Sequence, residues 1–272
     1  MHKMTNQDKQ HILNIKKKIV DVARTVRSGH LPSSFSSAEI LYTLYTKVAN
    51  ITKENLKSNA RDVVIVSKEH CKMGQCCVLE EIGLLPKGIS YEWQMDDGRV
   101  GHDIFKEVGS EDVAAIDVSF GSLGMGLGCG IGLAIGQPQR KVYVVVGDGE
   151  LQEGSCWESL MYIGFNKLKN VITLIDRNGV QIDDFCKNIV DSSSNCVDQI
   201  RSFGFDVVEC NGHDIDDLEK ALKTKTDKPL CVVANTIKGK EALFVREKHN
   251  FCYSHASVFA DDEYNQILEN LA

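Results

Sequence analysis

The segment Val144 to Leu160, VVVGDGELQEGSCWESL, ends an apolar run on Gly147-Asp148-Gly149 and then turns acidic. The run from Lys141 to Val146 reads as a buried strand stopped by glycine. The residues after the glycines open a helix, so the Asp148 carboxylate falls where a strand's carboxyl end meets a helix start. In open parallel sheets ligands bind at that junction. A second junction comes next: NVITLIDRNGVQID, Asn170 to Asp183, runs as a strand to Asp176, and Asn178 stands thirty residues after Asp148. If this strand lies beside the first through a right-handed crossover, Asp148, the Asn178 amide and a nearby carbonyl such as that of Val180 form an oxygen-only set. A small hard cation suits that set, with diphosphate oxygens and water completing an octahedron. The cation meets the phosphate charge, so no P-loop lysine is needed. Taken alone, the tripeptide fits equally a turn between strand and helix; the pairing with Asn178 gives it chemistry.

The elements that must position these groups alternate between strand and helix. Residues 8–27 carry Ile12, Ile15, Ile19, Val22 and Val26 at helical spacing. A loop, SGHLPS, comes after them, and Ser36-x-x-Glu39 reads as a capping box that starts a second helix through about Ala49. Val63–Ser67 is a strand, Cys71 to Ile82 a helix, and Leu84 to Asp117 has no clear period. Strands are expected at 141–147, 170–176, 205–210 and 230–236. The pattern predicts an α/β fold with a mostly parallel sheet and helices on both faces. Seven glycines between Gly121 and Gly136 are too many for an ordinary helix. They suit a helix packed so closely that only hydrogen fits on one side, its start approaching a ligand with free N–H groups.

Composition excludes several classes. A chain of 272 residues with 43% hydrophobic and 25% charged content buries a sizeable core, and residues 1–272 are taken as a single domain. The net charge of −7 argues against nucleic acid or an anionic membrane as partner. Lys16-Lys17-Lys18 reads as the solvated face of a helix. The amino terminus is polar and no apolar stretch reaches spanning length, so a soluble, cytoplasmic protein is expected. The ten cysteines are scattered without a CxxC pair, which fits small buried hydrophobes rather than zinc or disulfides.

GDG with an Asn about thirty residues later is the thiamine diphosphate signature, and other motifs accompany it in order. SGH (28–30) with SSAEIL, the RD…SKEH segment with His70, GHD with His102, GSLGMGL from Gly121 through Leu123, GDGELQEG with Gly147, Asp148, Gly149 and Glu153, and TIKGK (236–240) together resemble the amino-terminal part of the transketolase family, closest to its split form. The resemblance runs from about residue 10 to 240 and implies the diphosphate-binding type of thiamine diphosphate fold. It also implies thiamine diphosphate and Mg²⁺ as cofactors and two-carbon ketol transfer between sugar phosphates or related polyols.

By the same resemblance Asp148, Asn178 and Val180 ligate the metal. His70 lies near the diphosphate, the backbone of the Gly121–Leu123 segment meets the aminopyrimidine, and His30 and His102 lie near the substrate's hydroxyl and carbonyl groups. Imidazoles can donate to such groups and move protons near neutrality. Glu153 matches an interface carboxylate near the cofactor, or is a first-turn acid favoured by the helix dipole. His2, His11 and His213 read as surface residues.

The sequence departs from the family at Glu69 (SKEH for SKGH), Phe120, Asp103 and Glu241. The last family histidine falls on Cys252 without a gap, with His249 and His255 nearby. A separate carboxy-terminal transketolase subunit, supplying the glutamate that activates the pyrimidine, is the implied partner in an α2β2 assembly. The alternatives are a non-catalytic or specialised subunit of the same thiamine diphosphate fold in a biosynthetic pathway, and the alpha subunit of a 2-oxo-acid dehydrogenase.

Overall fold

The computed structural model describes residues 4–93, 100, 113–182, 184–191, 194–244 and 259–272. Among these residues five parallel strands form one sheet: β1 (Val63–Val66), β2 (Val142–Gly147), β3 (Val171–Arg177), β4 (Asp206–Asn211) and β5 (Leu230–Asn235), in the order β1-β2-β3-β5-β4. Side chains alternate across a strand, and β2 shows the consequence. Val142, Val144 and Val146 enter one core, whereas Tyr143 and Val145 enter the other.

The first core is covered by α1 (Asn6–Val26), α2 (Leu31–Thr43), α3 (Lys72–Glu81), α8 (Ile215–Leu222) and α9 (Asp261–Asn270). The second is covered by α4 (Met125–Gly136), α5 (Gly154–Phe165) and α7 (Cys196–Ser202); a single turn, α6 (Cys186–Ile189), precedes α7. The strands and the helices on both faces are as expected. Among the described residues no helix is long and apolar enough to cross a membrane. The nine described cysteines are all free, and eight of them are buried.

Two readings of the amino-terminal region need correction. SGHLPS is not all loop, because α2 already begins at Leu31 with Pro32 in its first turn. Ser36 and Glu39 do not cap it; both are buried in its interior. Ser36 Oγ instead donates to Asp176 Oδ2 at 2.8 Å, so the sheet claims the hydroxyl that a cap would have used. The lysine cluster is not one solvated face either. Consecutive helical residues are turned by about 100° from each other, and Lys16 points inward, 3% exposed, against Glu39 at 2.8 Å and Glu241 at 2.6 Å.

The glycine-rich segment behaves as a closely packed helix. A Cβ at Gly126 would lie 2.3 Å from Ser67 Cβ, and one at Gly130 would lie 2.8 Å from Val144 Cγ2. Gly124, at φ 82°, is the residue just before the helix. Gly126→Ala is therefore expected to destabilise the protein by about 1–3 kcal/mol through overpacking, read as a lower midpoint in urea. Gly132→Ala, where an added Cβ meets nothing within 4 Å, is the control and should not lower it.

Candidate active site

The loops leaving β1, β2, β3 and β5 converge on a cleft at the carboxyl edge of the sheet. It encloses about 70 Å³ and is lined by Ser33, Lys68, His70, Leu123, Gly147, Asp148, Gly149, Glu150, Asn178, Val180, Gln181, Ile182 and Lys238. The register explains the meeting of the two junctions. β2 pairs with β3 so that Gly147 faces Asp176, and Asp148 N donates to the Asp176 carbonyl at 3.3 Å.

Asp148 is 1% exposed. Its Oδ1 accepts from Gly149 N at 2.9 Å and its Oδ2 from Gly179 N at 2.5 Å, the latter at a turn where Gly179 holds φ 75°. Burial and the neighbouring Asp176 charge push the Asp148 carboxyl up to about 6, and a bound cation would stabilise its charged form. Asn178 Oδ1 accepts from Val180 N at 3.1 Å, which orients the amide beside the Val180 backbone. No group of three or more His, Cys, Asp or Glu side chains able to hold a metal occurs among the described residues. A cation here would have one carboxylate and neutral oxygens from the chain, and would take the rest of its shell from a ligand and water. That is the donor set of a metal shared with phosphate.

Opposite the carboxylate lie cations that sequence reasoning passed over. Lys68 is buried; burial opposes its charge, but Asp176 at 2.5 Å outweighs that and holds the ammonium above its ordinary range. Its Nζ also donates to Ser36 Oγ at 3.0 Å and Ser37 Oγ at 3.1 Å. Lys238 lies just beyond β5, and its Nζ is 3.4 Å from the Gln181 carbonyl. Burial and the like charge of Lys68 pull it down to about 8. An anion in the cleft would reverse that. Gln181 has its side-chain nitrogen buried without a hydrogen-bond partner, a donor that a bound oxyanion could meet. The available signal for Lys238 was the TIKGK stretch at a strand's end, whose lysine went unassigned.

Glu150 was also missed. Its Oε1 accepts from Ser67 Oγ at 2.5 Å and from Gly124 N at 2.8 Å, and its Oε2 from Gly147 N at 3.1 Å. This buried carboxylate ties the start of α4 to the Gly-Asp-Gly turn.

Of the expected site residues, His70, Leu123, Gly147, Asp148, Gly149, Asn178 and Val180 line the cleft. His30, immediately before α2, packs against His70 with ring centroids 4.4 Å apart and the rings tilted by 45°. Gly121 is exposed, ahead of α4. Glu153 is exposed at the start of α5 and outside the lining, in the position of the helix-start acid. His102, Asp103, His249, Cys252 and His255 lie outside the described residues. His213 is not a surface residue: its side chain is 7% exposed and packs against Glu39.

Residues 7–272 match the family described as transketolase, thiamine diphosphate binding domain. The chain is 34% identical over 269 residues to an apulose-4-phosphate transketolase subunit from Actinobacillus succinogenes, covering 94% of this chain and 93% of that one. It is 30% identical over 249 residues to the 6-deoxy-6-sulfo-D-fructose transketolase subunit SqwG of a Clostridium species, covering 89% of each. Among solved structures, transketolase from Campylobacter jejuni superposes with a TM-score of 0.82 at 24% identity. That match covers 98% of this chain but 43% of the other, so the chain spans about two-fifths of that transketolase's length.

Proposed function

The chain belongs to the transketolase family through its thiamine diphosphate-binding domain, and from that premise we propose that it is one subunit of a two-chain transferase. The reaction is transfer of a two-carbon ketol unit between sugar phosphates or related polyols. One observation carries the reading: Asp148, Asn178 and Val180 meet Lys68, Lys238 and His70 in a single cleft at the carboxyl edge of the sheet. Metal and diphosphate charge each have a counterpart there, and the orphaned Gln181 nitrogen supplies a further donor.

Asp148, Asn178 and the Val180 carbonyl would hold Mg²⁺, and His70, Lys68 and Lys238 would face the diphosphate. Thiamine diphosphate, when bound, supplies the carbanion chemistry of ketol transfer. The chain contributes binding, orientation and proton-handling groups: His30 beside His70, and His102 as the proposed partner of the substrate's carbonyl oxygen. His70→Ala is expected to weaken affinity for the Mg²⁺ cofactor about tenfold, because a hydrogen bond to a charged phosphate contributes roughly 1.5–3 kcal/mol. His102→Ala should slow turnover more than it weakens that affinity, as steady-state kinetics beside calorimetry would show.

The proposed partner is a separate subunit carrying the glutamate that activates the pyrimidine, in an α2β2 assembly. Two supports are available. The relatives that this chain matches over about nine-tenths of both lengths are named as transketolase subunits. The second is the lining of the cleft, whose groups suit the metal and the diphosphate and include no carboxylate assigned to the pyrimidine, which the partner would supply. The names of those relatives specify a phosphorylated and a sulfonated ketose, which makes an anionic ketose the donor class to try first. The test is ketol transfer with thiamine diphosphate, Mg²⁺ and such ketoses. The chain with its partner should turn over and the chain alone should not. Robust turnover by the chain alone would overturn the two-subunit reading.

A further inference from the structure

The segment Ile237 to Glu241, which carries Lys238 into the cleft, is anchored from the side away from that cleft by a buried polar cluster. His213 lies between β4 and α8. The Ile237 N–H donates to its Nε2 at 2.9 Å, so Nε2 bears the lone pair and the neutral ring carries its proton on Nδ1. Nδ1 faces Glu39 Oε2 at 3.4 Å. Glu39 Oε1 is 2.8 Å from Lys16 Nζ, and the same ammonium reaches Glu241 Oε1 at 2.6 Å. Both ends of the segment, 237 and 241, are thus fastened to one group of side chains drawn from α1, α2 and the turn before α8. Between the anchors Gly239, at φ 67°, donates its N–H to the Pro32 carbonyl at 3.0 Å, and an added Cβ would come within 3.0 Å of Pro32 Cβ. Asn270 Nδ2 closes the far end on the Glu241 carbonyl at 3.0 Å.

Withdrawing a carboxylate, an ammonium and an imidazole from water, with a second carboxylate half-buried beside them, is a poor way to stabilise a fold, since apolar residues of similar volume often do as well or better. Such a cluster does fix geometry, and the geometry fixed here is that of the backbone on either side of Lys238. We propose that His213, oriented by Glu39, is a positioning residue that holds Lys238 against the bound diphosphate without touching it. The inference rests on reading the cleft as the diphosphate site.

The test is a double-mutant cycle on the full chain, with affinity for thiamine diphosphate in Mg²⁺ measured by calorimetry. His213→Ala should weaken binding about five- to tenfold, the loss of one buried hydrogen bond transmitted to the site. His213→Gln should restore affinity to within about twofold of the parent, because an amide can accept from Ile237 N–H and donate to Glu39. In a Lys238→Ala background His213→Ala should cost nothing further, because coupled residues are non-additive. A full His213→Ala loss in that background, or parent-like affinity of the single variant, would overturn the proposal. If circular dichroism shows His213→Ala unfolded, His213→Leu takes its place in the cycle. A parent chain that binds no cofactor would instead overturn the reading of the cleft, and the inference with it.

Discussion

Asp148→Ala is expected to abolish measurable binding of thiamine diphosphate with Mg²⁺. Asp148 is the only carboxylate in the proposed ligand set, and the other two ligands are neutral oxygens. Loss of an outer-sphere partner of a metal typically costs about 10–100-fold, so loss of the sole anionic ligand should exceed about 100-fold. The effect on the fold is smaller but not nil. Asp148 is buried and its two oxygens accept the N–H groups of Gly149 and Gly179, which alanine would leave without an acceptor. Against that, removal relieves the repulsion between Asp148 and Asp176 that helps to push the carboxyl up to about 6. The opposing effects should leave a net change within about 2 kcal/mol, seen as a modest shift of the thermal transition. Asp148→Asn keeps one acceptor oxygen but sets an NH2 donor against the other backbone N–H, so it should leave binding as strongly impaired as alanine does, with a thermal shift within the same range. Parent-like affinity in either variant would remove Asp148 from the metal.

Asp176→Ala should have the largest effect on stability. Asp176 is fully buried in β3, 2.5 Å from Lys68 Nζ, and also accepts from Ser36, Ser37 and Thr236 hydroxyls. Alanine would leave a buried ammonium without its counter-charge and the Thr236 hydroxyl without its acceptor, while the Ser36 and Ser37 hydroxyls would keep the Ser33 carbonyl, 3.1 Å from each. Breaking a buried pair on one side costs about 3–5 kcal/mol, which for a chain of this size lowers the melting temperature by roughly 10 °C. The pH dependence comes from the shifts. Burial favours the neutral acid, but Lys68 and the hydroxyls hold the Asp176 carboxyl below its ordinary range. Its stabilising contribution is therefore complete above the ordinary carboxylate pKa and is lost as pH falls through the lower folded value. The parent's advantage over Asp176→Ala should persist through mildly acid solution and shrink only in strong acid. An advantage gone already at about pH 5 would contradict this account.

Much of the fold was legible because each strand brings its own apolar run and its own stop. Val142 to Val146 is buried on both faces, and a run of that kind identifies a central parallel strand by itself. Asp148 and Asn178 were legible for the same reason, each standing just past such a run. Lys238 was not, because its place depends on β5 lying next to β3 rather than at the edge, and strand order is not written in periodicity. His213, Lys16 and Glu39 were misassigned for a related reason. Each is a polar residue whose partner is remote in sequence, from 23 residues away for Lys16 and Glu39 to 225 for Lys16 and Glu241. Local pattern assigns such residues to solvent or to a cap.

The position of β5 also orders the making of the protein. Among the described strands β4 pairs with β5 alone, and β3 keeps one edge open until β5 arrives. Until residues 230–235 emerge, a growing chain thus holds β4 without its partner and the β3 edge uncovered, and open edges invite pairing with other chains. The last strand to be made is the one that must slot between two earlier ones, a non-local step of the kind that slows folding. It also delivers Lys238. Insertion of β5 and arrival of that charge at the cleft are one event, so a nascent chain cannot gain the complete cleft before the β3 edge is covered and β4 is paired.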